Sequence, residues 1–202
     1  YGCQRKDTTF LTISKINLKK MNLEQFQQLL LQKQKEIEQA MRRTLPIKVG
    51  RIAKDHFQEG FRKGGFQDNG TQPWQRKKHP DKYGPLMSSR QNLYGSIYYR
   101  PDDYRVTVGT SVPYAEIHNE GGEIVVTPRM KRFFWAKHRE TNGGSWKRNA
   151  KNEEAEFWKT LALKKAGSII HIPQRKFIGE SLELTDKINN TIETEINKIL
   201  QQ

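Results

Sequence analysis

One cysteine, Cys3, is all the thiol chemistry in this chain of 202 residues, so an internal disulfide and a multi-cysteine zinc site are both excluded. Such sparing use fits synthesis in a reducing cytoplasm. Long apolar runs are missing as well. None approaches the roughly 18 residues that a membrane-spanning helix needs, and the stretch TTFLTI is too short and too polar for a signal-peptide core. Hydrophobic residues make up only 34% of the chain against 29% charged, which suits a small core carrying long polar helices and loops. Four Trp, nine Phe and seven Tyr nevertheless supply core material that disordered chains lack. Acidic residues are the scarcer charge, 22 against 36 Lys and Arg, and the resulting +14 predicts attraction to nucleic acid or to an acidic protein surface.

Catalytic signatures are also few. No GxSxG pattern places a serine on a strained elbow, and no Walker-type glycine loop is followed by Lys and Ser or Thr. His56, His79, His138 and His171 lie in unrelated contexts, and none forms a His-to-His pair at helical spacing. The exception is VPYAEIHNEGG, Val112 to Gly122, where His118 sits beside Glu116, Asn119 and Glu120. A metal-dependent nuclease would need several such ligands to converge on one ion. If residues 114–118 are strand, Tyr114, Glu116 and His118 share one face and Ala115 and Ile117 the other, as on any half-exposed strand. Gly121 and Gly122 permit a positive φ or a close backbone approach, and the strand-like EIVVTP that follows them offers no helix N-terminus for a phosphate. This reading makes Tyr114, His118, Glu120, Gly121 and Gly122 a structural joint, with no metal, cofactor or catalytic residue assigned.

Around this stretch the periodicity is clear. Residues 1–20 show no clean period and begin without Met, and read as an N-terminal extension or an expression remnant. Leu23, Phe26, Leu30, Ile37 and Met41 mark one face of a helix that Pro46 should end or kink. Val49, Ala53, Phe57 and Phe61 step by four along a second helix, stopped by the glycines after Lys63. Residues 66–92 read as a long loop. YGSIYYR, YRVTVGT, EIVVTP and SIIHIP have strand composition, the first two forming a hairpin across Pro101–Asp103. Between the last two lie MKRFFWAKH and EEAEFWKTLALKK, predicted as a basic helical hairpin, and Leu184, Ile188, Ile192, Ile196 and Leu200 define a C-terminal amphipathic helix. The expected fold class is α+β: an N-terminal helical pair, a small mostly antiparallel β-sheet, the inserted basic hairpin of residues 127–167 and the C-terminal helix, in a single domain of residues 21–202.

Charge is uneven along the chain. Residues 71–90 carry five bases and one acid, and residues 127–165 eleven bases and four acids, whereas residues 91–126 hold two bases and five acids. WQRKKHPDKY offers Trp74, Arg76, Lys77 and Lys78 as loop contacts. Arg129, Lys131, Arg132, Lys137, Arg139, Lys147 and Arg148 form a second basic set, facing DNA or a partner protein. Basic residues interleaved with aromatics suit single-stranded nucleic acid, but Phe133, Phe134 and Trp135 are too contiguous all to be exposed. Their basic neighbours can face DNA without reading any base.

The order of GTQPW, LYGSIYYR, VTVGTSVPYAEIHNEGG and IPQRKFIGES behind a helical pair resembles the phage virion morphogenesis family, the tail-completion proteins of Mu-like and related tailed phages and prophages. The most specific part is Val106 to Gly122. Pro173, Arg175, Phe177, Gly179 and Ser181 match the family's later motif, and the likeness covers roughly residues 21–200. Many relatives pass more directly from the glycine pair to the Ile-Pro segment, so the basic hairpin is a departure. What the resemblance implies is a structural protein and not an enzyme, completing the tail or joining it to the head at the neck. It would sit within a ring, made in the bacterial host cytoplasm and built into the virion at the head-tail junction. Its partners would be other neck, connector or tail proteins and further copies of itself, with non-specific contact to packaged DNA and no membrane. The alternatives are a basic nucleic-acid-binding protein and a metal-dependent nuclease.

Overall fold

The computed structural model describes residues 21–77, 83–88, 91–143 and 153–202. Its class is α+β, as the periodicity predicts, with the N-terminal helical pair and the C-terminal helix in place. The strand content of the described residues is divided among three two-stranded ladders. Two units make up the chain: Tyr1–Ile52, Tyr99–Thr107 and Thr185–Gln202 form the first, described from Met21 onward, and Ala53–Tyr98 with Val108–Leu184 form the second.

In the first unit, helix α1 (Leu23–Gln39) starts at a capping box. The Asn22 side chain accepts from the Gln25 N–H at 2.8 Å, and the Gln25 side chain accepts in return from the Asn22 N–H at 3.2 Å. Pro46 does not end the helical pair. A single π turn, Ala40–Thr44, widens the backbone so that Leu45 N–H reaches the Ala40 carbonyl, and α2 (Leu45–Lys63) runs on from there. Proline has no N–H to give the carbonyl four residues back, that of Arg42. This oxygen instead accepts from Tyr104 N–H, at 3.4 Å, at the tip of the hairpin formed by β3 (Ile97–Asp102) and β4 (Arg105–Thr110). Asp103 at the same tip pairs with Arg42 at 2.6 Å and with Arg43 at 3.1 Å. The proline thus provides a seat for the hairpin tip.

Helix α7 (Leu182–Gln201) runs beside these elements: its Glu195 pairs with Lys48, and Lys33 Nζ donates to the Ile199 carbonyl at 2.8 Å. The predicted α1 face is less covered than its period suggests, since no α1 residue is fully buried.

The second unit holds most of the core. Phe61 of α2 packs edge-on against Trp74 and Phe177, each at 5.3 Å between ring centroids, and against Tyr94 at 6.0 Å. Leu93 in the short helix α3 (Asn92–Gly95) and Ile97 in β3 are buried close by in sequence. The expected long loop is partly ordered: β1 (Gly65–Gln67) pairs antiparallel with β2 (Thr71–Pro73). Their turn uses Asn69 and Gly70, both at positive φ, the residue pair that tight hairpins favour.

Helix α4 (Ala115–Glu120) follows β4, and β5 (Gly122–Val125) pairs antiparallel with β6 (Ile169–Ile172), from Gly122 opposite Ile172 to Val125 opposite Ile169. Between these paired strands the chain makes the predicted helical excursion, α5 (Pro128–Thr141) and α6 (Glu153–Leu163). Thr127 caps α5 by accepting from Met130 N–H at 3.2 Å. The base of the excursion is closed by Val126 N–H to the Ser168 carbonyl at 2.8 Å and Gly167 N–H to the Val126 carbonyl at 2.9 Å. Inside it, the His138 ring meets the Ala155 carbonyl at 2.8 Å and Phe134 is buried against Trp158.

Phe61→Ala should destabilise the second unit by about 3–5 kcal/mol, the range for removing a buried aromatic ring. Urea unfolding followed by tryptophan fluorescence checks this.

Candidate functional site

Residues 115–118 are helical, not strand, and Tyr114 is the residue at the helix N-cap. Pro113 and Tyr114 lead into α4, where Ala115 and Glu116 favour a helix and Ala115 N–H bonds the Val112 carbonyl at 3.1 Å. Tyr114 and His118 are therefore one turn apart on the same face, their rings perpendicular at 5.9 Å. Glu116 does not share that face, and both it and Glu120 are exposed.

The end of α4 is fastened to a strap of irregular backbone, residues 173–181. The His118 carbonyl accepts from Arg175 N–H at 2.8 Å. The Asn119 side-chain oxygen accepts from two consecutive N–H groups, Phe177 at 2.9 Å and Ile178 at 3.0 Å, and the Asn119 amide nitrogen donates to Glu120 at 2.5 Å. Gly121 then turns the chain at φ +75°, so close to the strap that a Cβ there would lie 2.8 Å from the Gln174 nitrogen. A side chain is excluded both by conformation and by space.

From its other side the strap holds the segment around β1 and β2. Arg175 Nε donates to the Gln75 carbonyl at 2.9 Å, and Trp74 Nε1 to the Lys176 carbonyl at 2.7 Å. Phe177 enters the Phe61 and Trp74 stack, and Lys176 Nζ lies 4.5 Å from the centre of the Phe66 ring. Ser181 Oγ donates to the Gln67 carbonyl at 2.8 Å and accepts from Leu184 N–H at 3.2 Å, capping α7. Residues more than fifty positions apart in sequence thus meet in one joint. Asn119 is central to it and drew no attention as more than a neighbour of His118. Its only sequence signal is an amide next to two glycines.

His118 Nδ1 is buried without a hydrogen-bond partner. Burial first, and the Arg175 charge second, hold the imidazole below the ordinary histidine range. Among the described residues no three His, Cys, Asp or Glu side chains are grouped to hold a metal ion, and no helix is long and apolar enough to cross a membrane.

The other sequence-predicted contacts do not gather at this joint. Trp74 is buried in the core instead of standing out on a loop, because its indole N–H has a carbonyl partner inside. Arg76 is exposed, Lys77 Nζ bonds the Met87 carbonyl at 2.8 Å, and Lys78 lies outside the described residues. On α5, Arg129, Arg132 and Arg139 are exposed, Lys131 is half-buried, and Lys137 pairs with Glu140 at 2.7 Å. Lys147 and Arg148 fall outside the described residues. Of the three adjacent aromatics, Phe134 is buried, Trp135 half-buried and Phe133 exposed.

The description of the phage virion morphogenesis family matches residues 21–197, and the chain belongs to that family. No curated protein and no solved structure matches it.

Asn119→Ala should cost about 1–3 kcal/mol by leaving two backbone donors unpaired, and Asn119→Asp, which keeps an acceptor, should cost less. Denaturant midpoints of the two variants decide this. His118 carries a depressed pKa in the fold, so the unfolded chain binds the proton first as pH falls. Its contribution is present above the ordinary histidine pKa of 6.5 and is lost as pH falls through the folded value. The unfolding midpoint of the protein should therefore drop as pH falls below the ordinary histidine value of 6.5. His118→Gln should flatten that drop in the same titration.

Proposed function

We propose that this member of the phage virion morphogenesis family works as a structural part of the neck, completing the tail or joining it to the head in the manner of tail-completion proteins of Mu-like phages. It acts there within a ring and contacts other neck, connector or tail proteins, with no membrane involved. One observation carries this reading. Motifs that carry the resemblance, GTQPW, Val106 to Gly122 and the segment from Pro173 to Ser181, supply Trp74, Asn119, Arg175 and Ser181 to the internal bracing of the second unit. Asn119, Trp74, Arg175 and Ser181 spend polar groups on backbone partners, as in a part whose task is to hold shape under load. The surface then supplies the adhesion.

A second reading rests on α5. Arg129, Arg132 and Arg139 are all exposed on this helix, whose five Lys and Arg outnumber a single Glu. Such a set suits the phosphates of packaged DNA, bound through charge and without base readout. Binding of this kind weakens steeply as salt is raised, and Mg²⁺- or Mn²⁺-dependent cleavage of DNA would instead indicate a nuclease.

Electron micrographs of lysates from a phage or induced prophage deleted for this gene test the proposal. Filled heads beside separate or aberrant tails are expected, and intact infectious particles would overturn it.

A further inference from the structure

The amino-terminal half of α1 carries an apolar stripe that the described residues leave exposed. Leu23 is 71% exposed, Phe26 38%, Leu30 53% and Leu31 58%. Leu23, Phe26 and Leu30 fall at i, i+3 and i+7, so they line one face, and Ile37 continues the same line. Toward its carboxyl end α1 is sheltered by α7, which reaches it where Lys33 Nζ meets the Ile199 carbonyl. Ile37 is half-buried there, whereas from Asn22 to Gln32 only Leu29 is even partly covered. One stripe is packed at one end and bare at the other.

Charge decides what can cover it. Residues 21–32, MNLEQFQQLLLQ, contain a single charged residue, Glu24, in a chain whose net charge is +14. DNA or an acidic protein surface would gain no attraction from this face. Two copies of so cationic a chain, however, repel least where Lys and Arg are absent, and this face is such a place. The residues flanking the stripe suit the same occupant. Gln27, Gln28 and Gln32 can each donate and accept, so a face bordered by glutamines can bond to an identical face turned around.

We infer that the Leu23–Leu31 face of α1 is a self-association surface, on which a second copy of this chain packs its own α1 through a two-fold contact. Four apolar side chains per copy fall short of the roughly 1,200 Å² of a standard stable interface, so the contact is weak in free solution. Assembly into a particle strengthens it by holding copies side by side. Like faces close at two copies, so this contact is separate from any head-to-tail contact that builds a ring. The inference therefore goes beyond the neck reading and does not depend on it.

Sedimentation equilibrium of the full chain at rising concentration, at low and at high NaCl, tests the contact. A monomer–dimer equilibrium is expected that tightens as salt is raised, since screening removes repulsion and leaves the apolar contact intact. Phe26→Glu with Leu30→Glu should weaken the dimer about tenfold or more while leaving the circular dichroism of the monomer unchanged. Should that double variant fail to fold, Leu23→Glu, at the most exposed position of the stripe, carries the same test. A protein that stays monomeric throughout, a dimer that persists in the folded variant, or an assembly that dissolves as salt rises would each overturn the inference. The solution readout keeps it distinct from the lysate experiment, whose failure would leave the dimer standing.

Discussion

A single side-chain oxygen, that of Asn119, does for the second unit what a sheet does in most α+β domains. Residues 173–181 have irregular backbone, and backbone N–H groups taken out of water must find partners. A neighbouring strand would ordinarily provide them. Here Asn119 accepts from two successive N–H groups and the His118 carbonyl from a third, while Trp74, Arg175 and Ser181 bind the strap to the segment beside it. Gly121 allows the close approach on which these bonds depend. With these fixed points the β5–β6 ladder, the cap of α7 and the aromatic stack around Phe61 are positioned together.

The joint also separates the histidine from the carboxylates beside it in sequence. His118 is turned toward its own helix and the strap, with Tyr114 against its ring and Arg175 nearby, and Glu116 and Glu120 point out to water. Burial and the nearby guanidinium both disfavour a charge on this imidazole, whose Nδ1 is buried. Charge is handled in the opposite way. Arg129, Arg132 and Arg139 remain at the surface, where cations keep their hydration and can meet a partner.

The first unit relies on a different device. Pro46 withdraws one N–H from the helical ladder, a π turn makes up the geometry, and the Arg42 carbonyl so released receives the hairpin tip at Tyr104, with Asp103 held between Arg42 and Arg43. A residue that breaks helices becomes a docking point because the missing bond leaves an acceptor for another part of the chain.

Sequence alone determined the elements whose signals are local. Four-residue steps such as Ala53, Phe57 and Phe61 marked α2, β-branched runs marked β5 and β6, and the helical excursion between them was legible from composition. Motif order pointed to the family. The β1–β2 hairpin reads as loop in the sequence, because the polar residues around Asn69 and Gly70 carry no strand period. Only the tertiary structure decided the rest. Whether Tyr114 to His118 coil or extend, which amide satisfies the strap, and why Trp74 is core all depend on partners distant in sequence, and periodicity carries no information about distant partners. The bare face of α1 belongs to the same class, since a hydrophobic period shows that a helix has an apolar side, and only packing shows whether anything covers it.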